Sequence, residues 1–137
     1  MATFNKFNQF VQDVAQGKHN LASDAATIAL SNSAPVATNA ILSDITEISY
    51  TNLSARVPTI TSCTQSSGTL KYILADLVLT ASGAVATFRY VVLYNATQTT
   101  PNHPLIAWWD YGSAVTLANG ETFTIDFDNV NGVFQII

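Results

Sequence analysis

The chain predicts a mainly β domain, a β-sandwich or jelly-roll-like fold with one short N-terminal α-helix. Three observations predict it. Roughly eight short apolar runs follow one another with turn signals between them, the pattern of sandwiches and barrels. Two Asn-Gly pairs, Asn119-Gly120 and Asn131-Gly132, punctuate the last third, and Asn-Gly tolerates the two successive positive φ values of a type I′ hairpin turn. Helical periodicity is confined to the N-terminal end. The 137 residues contain no linker, charge run or repeat, so a single domain over 1–137 is expected, with the helix over about 4–16 and the sandwich over about 24–137.

The helix is read from Phe4, Phe7, Phe10, Val11 and Val14, which share one sector at about 100° per residue, with Asn5, Gln9, Gln12 and Asp13 largely opposite. Thr3 is placed to cap its start and Gly17 to take a left-handed C-terminal position. The apolar stripe either covers the open side of the domain or anchors it on a neighbouring subunit.

Asp24 to Leu30 alternates as a strand, and Ser31–Asn39, with Pro35, is a loop. Ile41–Tyr50 fits a short turn leading into a strand. Arg56–Cys63 reads as an edge strand, because Pro58 has no backbone donor to give a central one. After a turn at Gln65–Gly68, Leu70, Tyr72, Leu74, Leu77 and Leu79 indicate one long strand or two joined by a bulge near Ala75-Asp76. Ser82-Gly83 turns the chain into the clearest strand, where Phe88, Tyr90, Val92 and Tyr94 face one side and Arg89, Val91 and Leu93 the other. Both faces are largely apolar, so this strand is central or part of an interface. Asn95–Pro104 is a long polar loop.

Leu105–Ile137 reads as a run of hairpins forming one sheet of the sandwich. Within it Phe123, Ile125 and Phe127 alternate with Thr122, Thr124, Asp126 and Asp128, the period of two of a half-buried strand.

Composition narrows the function. Charged residues are 10% of the chain and hydrophobic residues 48%, against roughly 25% charged in an ordinary soluble domain. Ser, Thr, Asn and Gln must therefore cover the surface, as they do in extracellular β-proteins, fibres and virion shells. A net charge of −4, with Lys6, Lys18, Arg56, Lys71 and Arg89 unclustered, argues against nucleic acid and against an anionic membrane surface. Cys63 is the only cysteine, so the fold stands on packing without an intramolecular disulfide. Asn5, Lys6, Asn8 and Gln9 interrupt any signal-peptide run, and no stretch approaches a membrane span. The expected origin is the cytoplasm, with export, if any, by lysis or as part of a particle.

Reactive constellations are sparse. His19 and His103 have no second ligand nearby and read as loop histidines rather than zinc ligands. Asp110, Glu121, Asp126 and Asp128 could meet on one side of the C-terminal strands, but the Asp-x-Asp-x-Asp-Gly loop of a calcium site is missing. No nucleophile elbow or supported carboxylate pair is present. Asn52-Leu53-Ser54 and Asn95-Ala96-Thr97 match the glycosylation pattern, a match expected to be chance because no signal peptide is expected. Neither a catalytic group nor a cofactor is expected. Ala107-Trp108-Trp109-Asp110-Tyr111 is the one cluster that invites a functional reading. Adjacent strand residues point to opposite faces, so one tryptophan enters the core and the other, beside Tyr111, lies outward to stack on a sugar or anchor an interface.

The stretches ATFNKFNQFVQDVAQGKHNL, LADLVLTASGAVATFRYVVLYN and LIAWWDYGSAVTLANGETFTIDFD resemble small proteins of tailed bacteriophages and prophages. The most distinctive part is Trp109-Asp110-Tyr111-Gly112 followed by Leu117-x-x-Gly120-Glu121-x-Phe123. The resemblance implies a virion structural protein, best placed as a head decoration (cement) protein on the capsid exterior. Such proteins are commonly β-rich trimers, so the implied partners are further copies of the chain and the major capsid protein. The residues selected as contact elements are Phe4, Phe7, Val11 and Val14 on the helix stripe, with Trp108, Trp109 and Tyr111. The competing reading is a receptor- or carbohydrate-binding module of a tail fibre or spike, with Trp108 or Trp109 and Tyr111 as platform.

Overall fold

The computed structural model describes residues 2–137. Strand makes up 43% and helix 8%, the mainly β sandwich-like architecture that the pattern predicts. The elements run β1 (Asn5–Lys6), α1 (Asn8–Ala15), β2 (Ala26–Ser31), a 3₁₀ turn (Leu42–Asp44), β3 (Ile60–Ser66), β4 (Thr69–Leu74), β5 (Leu77–Thr80), β6 (Phe88–Asn95), β7 (Leu105–Val115), β8 (Thr122–Ile125) and β9 (Phe134–Ile136). Antiparallel pairing builds a four-stranded sheet in the order β1-β7-β6-β2, a three-stranded sheet β3-β4-β9 and a two-stranded ribbon β5-β8.

The main core lies between the large sheet and the two small ones. Ile28, Leu30, Val91 and Leu93 of the large sheet meet Tyr72, Leu74, Leu79 and Ile125 of the others. Each such side chain contributes roughly 1.5–3 kcal/mol when fully buried. The large sheet is covered on its second face too, where Ala29, Val92, Tyr94 and Leu105 pack with Phe7 and Ile45. That double cover explains the two apolar faces of β6, which sits centrally between β2 and β7.

The free edge of β2 is closed by a segment that is not itself a strand. The Ile28 N–H donates to the Arg56 carbonyl at 2.8 Å, and the Arg56 guanidinium donates back to the Ile28 carbonyl. The Leu30 N–H donates to the Tyr50 hydroxyl at 3.0 Å, and the Leu30 carbonyl accepts from the Ile48 N–H at 3.0 Å. Arg56 also lies over the Tyr50 ring, 3.5 Å from its centroid. A paired, covered edge no longer templates a foreign strand.

Several sequence expectations need correction. The helix spans 8–15 rather than 4–16, because Asn5 and Lys6 extend to pair with Trp108 and Ala107. Thr3 is thus too far away to cap it, and the cap position is Phe7, which has no side-chain acceptor to offer. The end is as read: Gly17 at φ +71° and Lys18 donate to the carbonyls of Val14 and Asp13 at 3.1 and 2.8 Å, the Schellman arrangement. Because the chain is extended before Asn8, Phe4 and Phe7, an odd number of residues apart, fall on opposite faces instead of sharing one stripe. Phe4 packs against the main core and Phe7 against the second cluster.

The C-terminal third is not a run of hairpins in one sheet. Strands β7, β8 and β9 go to three different sheets. At both Asn-Gly pairs only the glycine takes positive φ, +86° at Gly120 and +84° at Gly132, whereas a type I′ turn needs it at both central residues. The turn that meets this requirement is Ser67-Gly68, at +52° and +81°, joining β3 to β4 through the flanking pair Ser66 and Thr69. The break at Ala75-Asp76 likewise separates two sheets rather than bulging one strand.

Candidate functional site

The tryptophan pair sits where β7 is held from both sides. Trp108 pairs with Asn5 of β1 and Val92 of β6, and Trp109 pairs with Val91. The two rings diverge as strand geometry dictates. Trp108 packs on Phe7 at a centroid distance of 4.6 Å. Trp109 packs edge-on against Phe4 at 5.8 Å and Phe127 at 6.1 Å. Both rings are half-buried, since both faces of this sheet are covered, so neither is the outward member that the sequence suggested. The exposed aromatic is Tyr111, at 55%.

Tyr111 is exposed because β7 bulges. Tyr90 pairs with Asp110 and Phe88 with Val115, so Arg89 alone stands opposite residues 111–114. The bulge has a polar brace. Arg89 donates through Nε and Nη2 to the two carboxylate oxygens of Asp110 at 2.8 and 3.0 Å. The Gly112 N–H donates to Asp110 Oδ1 at 2.8 Å, and Gly112 at φ +96° makes the reversal a side chain would resist. The Arg89 fork, with the Gly112 N–H, holds the Asp110 carboxyl below its ordinary range. The Tyr111 ring is thereby set edge-on against Phe123 of β8 at 5.1 Å.

The result is an open cleft of about 620 Å³ between the end of β7, β8 and the 126–133 segment. Among the described residues, Phe4, Trp109, Tyr111, Phe123 and Phe127 supply its aromatic lining, and Asp126 and Asp128 its only charged side chains. The two acids differ. Asp128 braces its own turn, accepting from the Val130 and Asn131 N–H groups at 2.8 Å each and from Asn131 Nδ2 at 3.0 Å. Those bonds, the Asn131 N–H foremost, hold its pKa low. Asp126 is exposed and accepts no hydrogen bond from the described residues. Such an arrangement can receive an apolar group and, at Asp126, a donor or cation.

Of the sequence-selected contact residues, Phe4, Trp109 and Tyr111 are brought together here. Phe7 and Trp108 belong to the opposite face. Val14 packs half-buried on the main core, and Val11 stands 51% exposed on the helix. Phe123 and Phe127 were legible as strand residues but not as parts of a site, and Asp126 was weighed only as one of four acids for a calcium site. Nothing in their alternation says that β8 leaves β7 to pair with β5.

A second constellation went unread. Asp13, His19, Asp24 and Asn95 are all buried. Asn95 Oδ1 accepts from the N–H groups of Thr97 and Gln98 at 2.9 and 3.2 Å, so Nδ2 points inward. It donates to Asp24 Oδ2 at 2.7 Å and to His19 Nδ1 at 3.1 Å. His19 is therefore a loop histidine, as read, but a buried and neutral one with its proton on Nε2. Burial lowers its pKa more than the charges of Asp13 and Asp24 raise it. Burial alone would raise the Asp24 carboxyl, but hydrogen bonds from Asn95, Asn20 and Gln98 bring it below its usual value. The partners lie more than seventy residues apart in sequence, and no local spacing signals them.

The remaining candidates are dispersed. Burial pushes the half-buried Cys63 thiol up, away from thiolate reactivity. Asp110, Glu121, Asp126 and Asp128 do not converge, and no group of three metal-ligating side chains forms among the described residues. None of their helices is long and apolar enough to cross a membrane. No protein-family model, curated protein or solved structure matches the chain.

Proposed function

We propose that the chain is a structural virion protein that binds the outside of a phage capsid as a symmetric oligomer and stabilises the shell, as decoration proteins do. The observation that carries this reading is the braced bulge that holds Tyr111 exposed on the rim of an aromatic cleft. A large aromatic ring with two rotatable bonds, fixed by its own scaffold, loses little entropy on contact and makes a good interface anchor. The surrounding surface suits assembly. Ser62, Thr64, Ser66 and Thr69 form a neutral polar face with Asn131 and Gln135, and Lys71 as its one charge. Such surfaces carry little charge to desolvate when they meet. Repetition at symmetric positions then turns a modest contact into a large total stabilisation.

The cleft also favours a second reading, a receptor- or carbohydrate-binding module of a tail fibre or spike, because aromatic rings beside a free carboxylate suit a sugar. Incubating the purified protein with stripped capsids and with host cells separates the two. Co-sedimentation with capsids is expected, weakened by about tenfold or more in Tyr111→Ala, since truncated interface anchors cost about 2 kcal/mol or more. Binding to cells but not to capsids overturns the decoration reading.

A further inference from the structure

We infer that the cleft is a socket for a basic side chain, lysine or arginine, presented by a protein partner. The inference deepens the assembly reading above and rests on it for the partner being a protein. Its chemistry follows from charge complementarity. Among the described residues, the charged side chains lining the cleft are Asp126 and Asp128, and no Lys, Arg or His lines it. Lys71, the cation that helps depress the Asp128 pKa, is tied by a 3.1 Å bond to the Val130 carbonyl. Asp128 has both oxygens occupied by its own turn, which leaves Asp126 as the carboxylate with full accepting capacity.

The walls select what accompanies the charge. Phe4, Trp109, Tyr111, Phe123 and Phe127 line the cleft and offer the π-systems that attract a cation and the apolar area that covers an aliphatic stem. Lysine and arginine carry both parts, a methylene stem and a charged head. A neutral aliphatic side chain would leave Asp126 unused, and an acidic one would be repelled. A sugar would use the rings and the carboxylate but gain nothing from the negative potential.

The test is titration of the full chain, followed by ¹H–¹⁵N correlation spectra, with four probes: Nα-acetyl-lysine methylamide, Nα-acetyl-arginine methylamide, the uncharged Nα-acetyl-norleucine methylamide and methyl glucoside. Saturable shifts at the Trp109 indole N–H and the Asp126 amide are expected with the two cationic probes. Affinity should fall roughly tenfold in Asp126→Asn, as expected for loss of a charge-assisted contact. Asp126 is exposed, so the variant's spectrum should otherwise overlay that of the parent. Equal binding of the norleucine probe, preferential binding of the glucoside, or no saturable shift with either cation overturns the inference. Capsids play no part in this titration. A socket that binds cations in a protein that ignores capsids would therefore sink the decoration reading alone, and capsid binding without cation binding would sink the socket alone.

Discussion

Asn95 shows how much one buried amide can decide. Two backbone N–H groups fix its oxygen, and its nitrogen then dictates that His19 Nδ1 accepts. Protonating His19 would put a second hydrogen between two nitrogens in a buried site, so the neutral ring is the folded form. The sign for stability follows. The folded pKa lies below the ordinary 6.5, so below that pH the unfolded chain binds a proton that the folded chain refuses, and stability falls as pH drops until the folded pKa is reached. Asp24 acts in a lower window: its folded pKa lies below the ordinary 3.8, so its contribution is present above that value and fades as pH falls through the folded pKa. Urea unfolding between about pH 7 and pH 5 should show stability declining by up to ~1.4 kcal/mol per pH unit, and His19→Gln should flatten that slope. An unchanged slope in the variant would contradict the assignment. None of this was readable beforehand, because hydrogen-bond partners joined across the fold leave no local pattern. What the residue sequence did carry was the divergence of Trp108 and Trp109, a direct consequence of strand geometry.

Elements were legible where side-chain period decided them and obscure where pairing did. The alternation in β8 came through with the correct faces in and out, and β6 came through as a double-faced strand, except that Phe88, read on the side of Val92 and Tyr94, packs in the main core with Val91 and Leu93, beyond the register shift between Phe88 and Tyr90. Their partners did not, because a period of two is the same whichever strand lies alongside. The Asn-Gly pairs misled for a related reason: the dipeptide permits a type I′ turn without requiring one, and here Asn119 and Asn131 keep negative φ. The closure of β2 was invisible as well, since Ile48, Tyr50 and Arg56 do it without forming a strand. Arg56 is the key to that closure, bonded to both the N–H and carbonyl of Ile28 by its own main chain and guanidinium. Arg56→Ala should cost roughly 1–2 kcal/mol, from a charged hydrogen bond and a cation–π contact. It should also raise the tendency to associate at the β2 edge. Thermal unfolding and light scattering report the two effects; a variant as stable and as monodisperse as the parent would show the edge to be closed by other means.

At the scale of the whole molecule, the features that support the proposed role are features of a contact surface. A doubly covered sheet gives a rigid platform without a disulfide, and few charges interrupt its surface. The bulge of β7 then places one aromatic ring on the lip of a cleft with a free carboxylate. The fold class was available from the sequence because composition and periodicity determine it. The cleft was not, because it is assembled from the residues before β1, from β6, β7 and β8, and from the 126–133 segment, whose meeting depends on topology. The central claim, that this surface joins the chain to a phage shell, is tested most directly by electron cryomicroscopy of the assembled particle of a phage encoding it. The account predicts density for the chain on the capsid exterior around a symmetry axis, with Tyr111 and the cleft buried against a neighbouring subunit. Density on the tail, or a shell-bound chain with the Tyr111 cleft open to solvent, would contradict it.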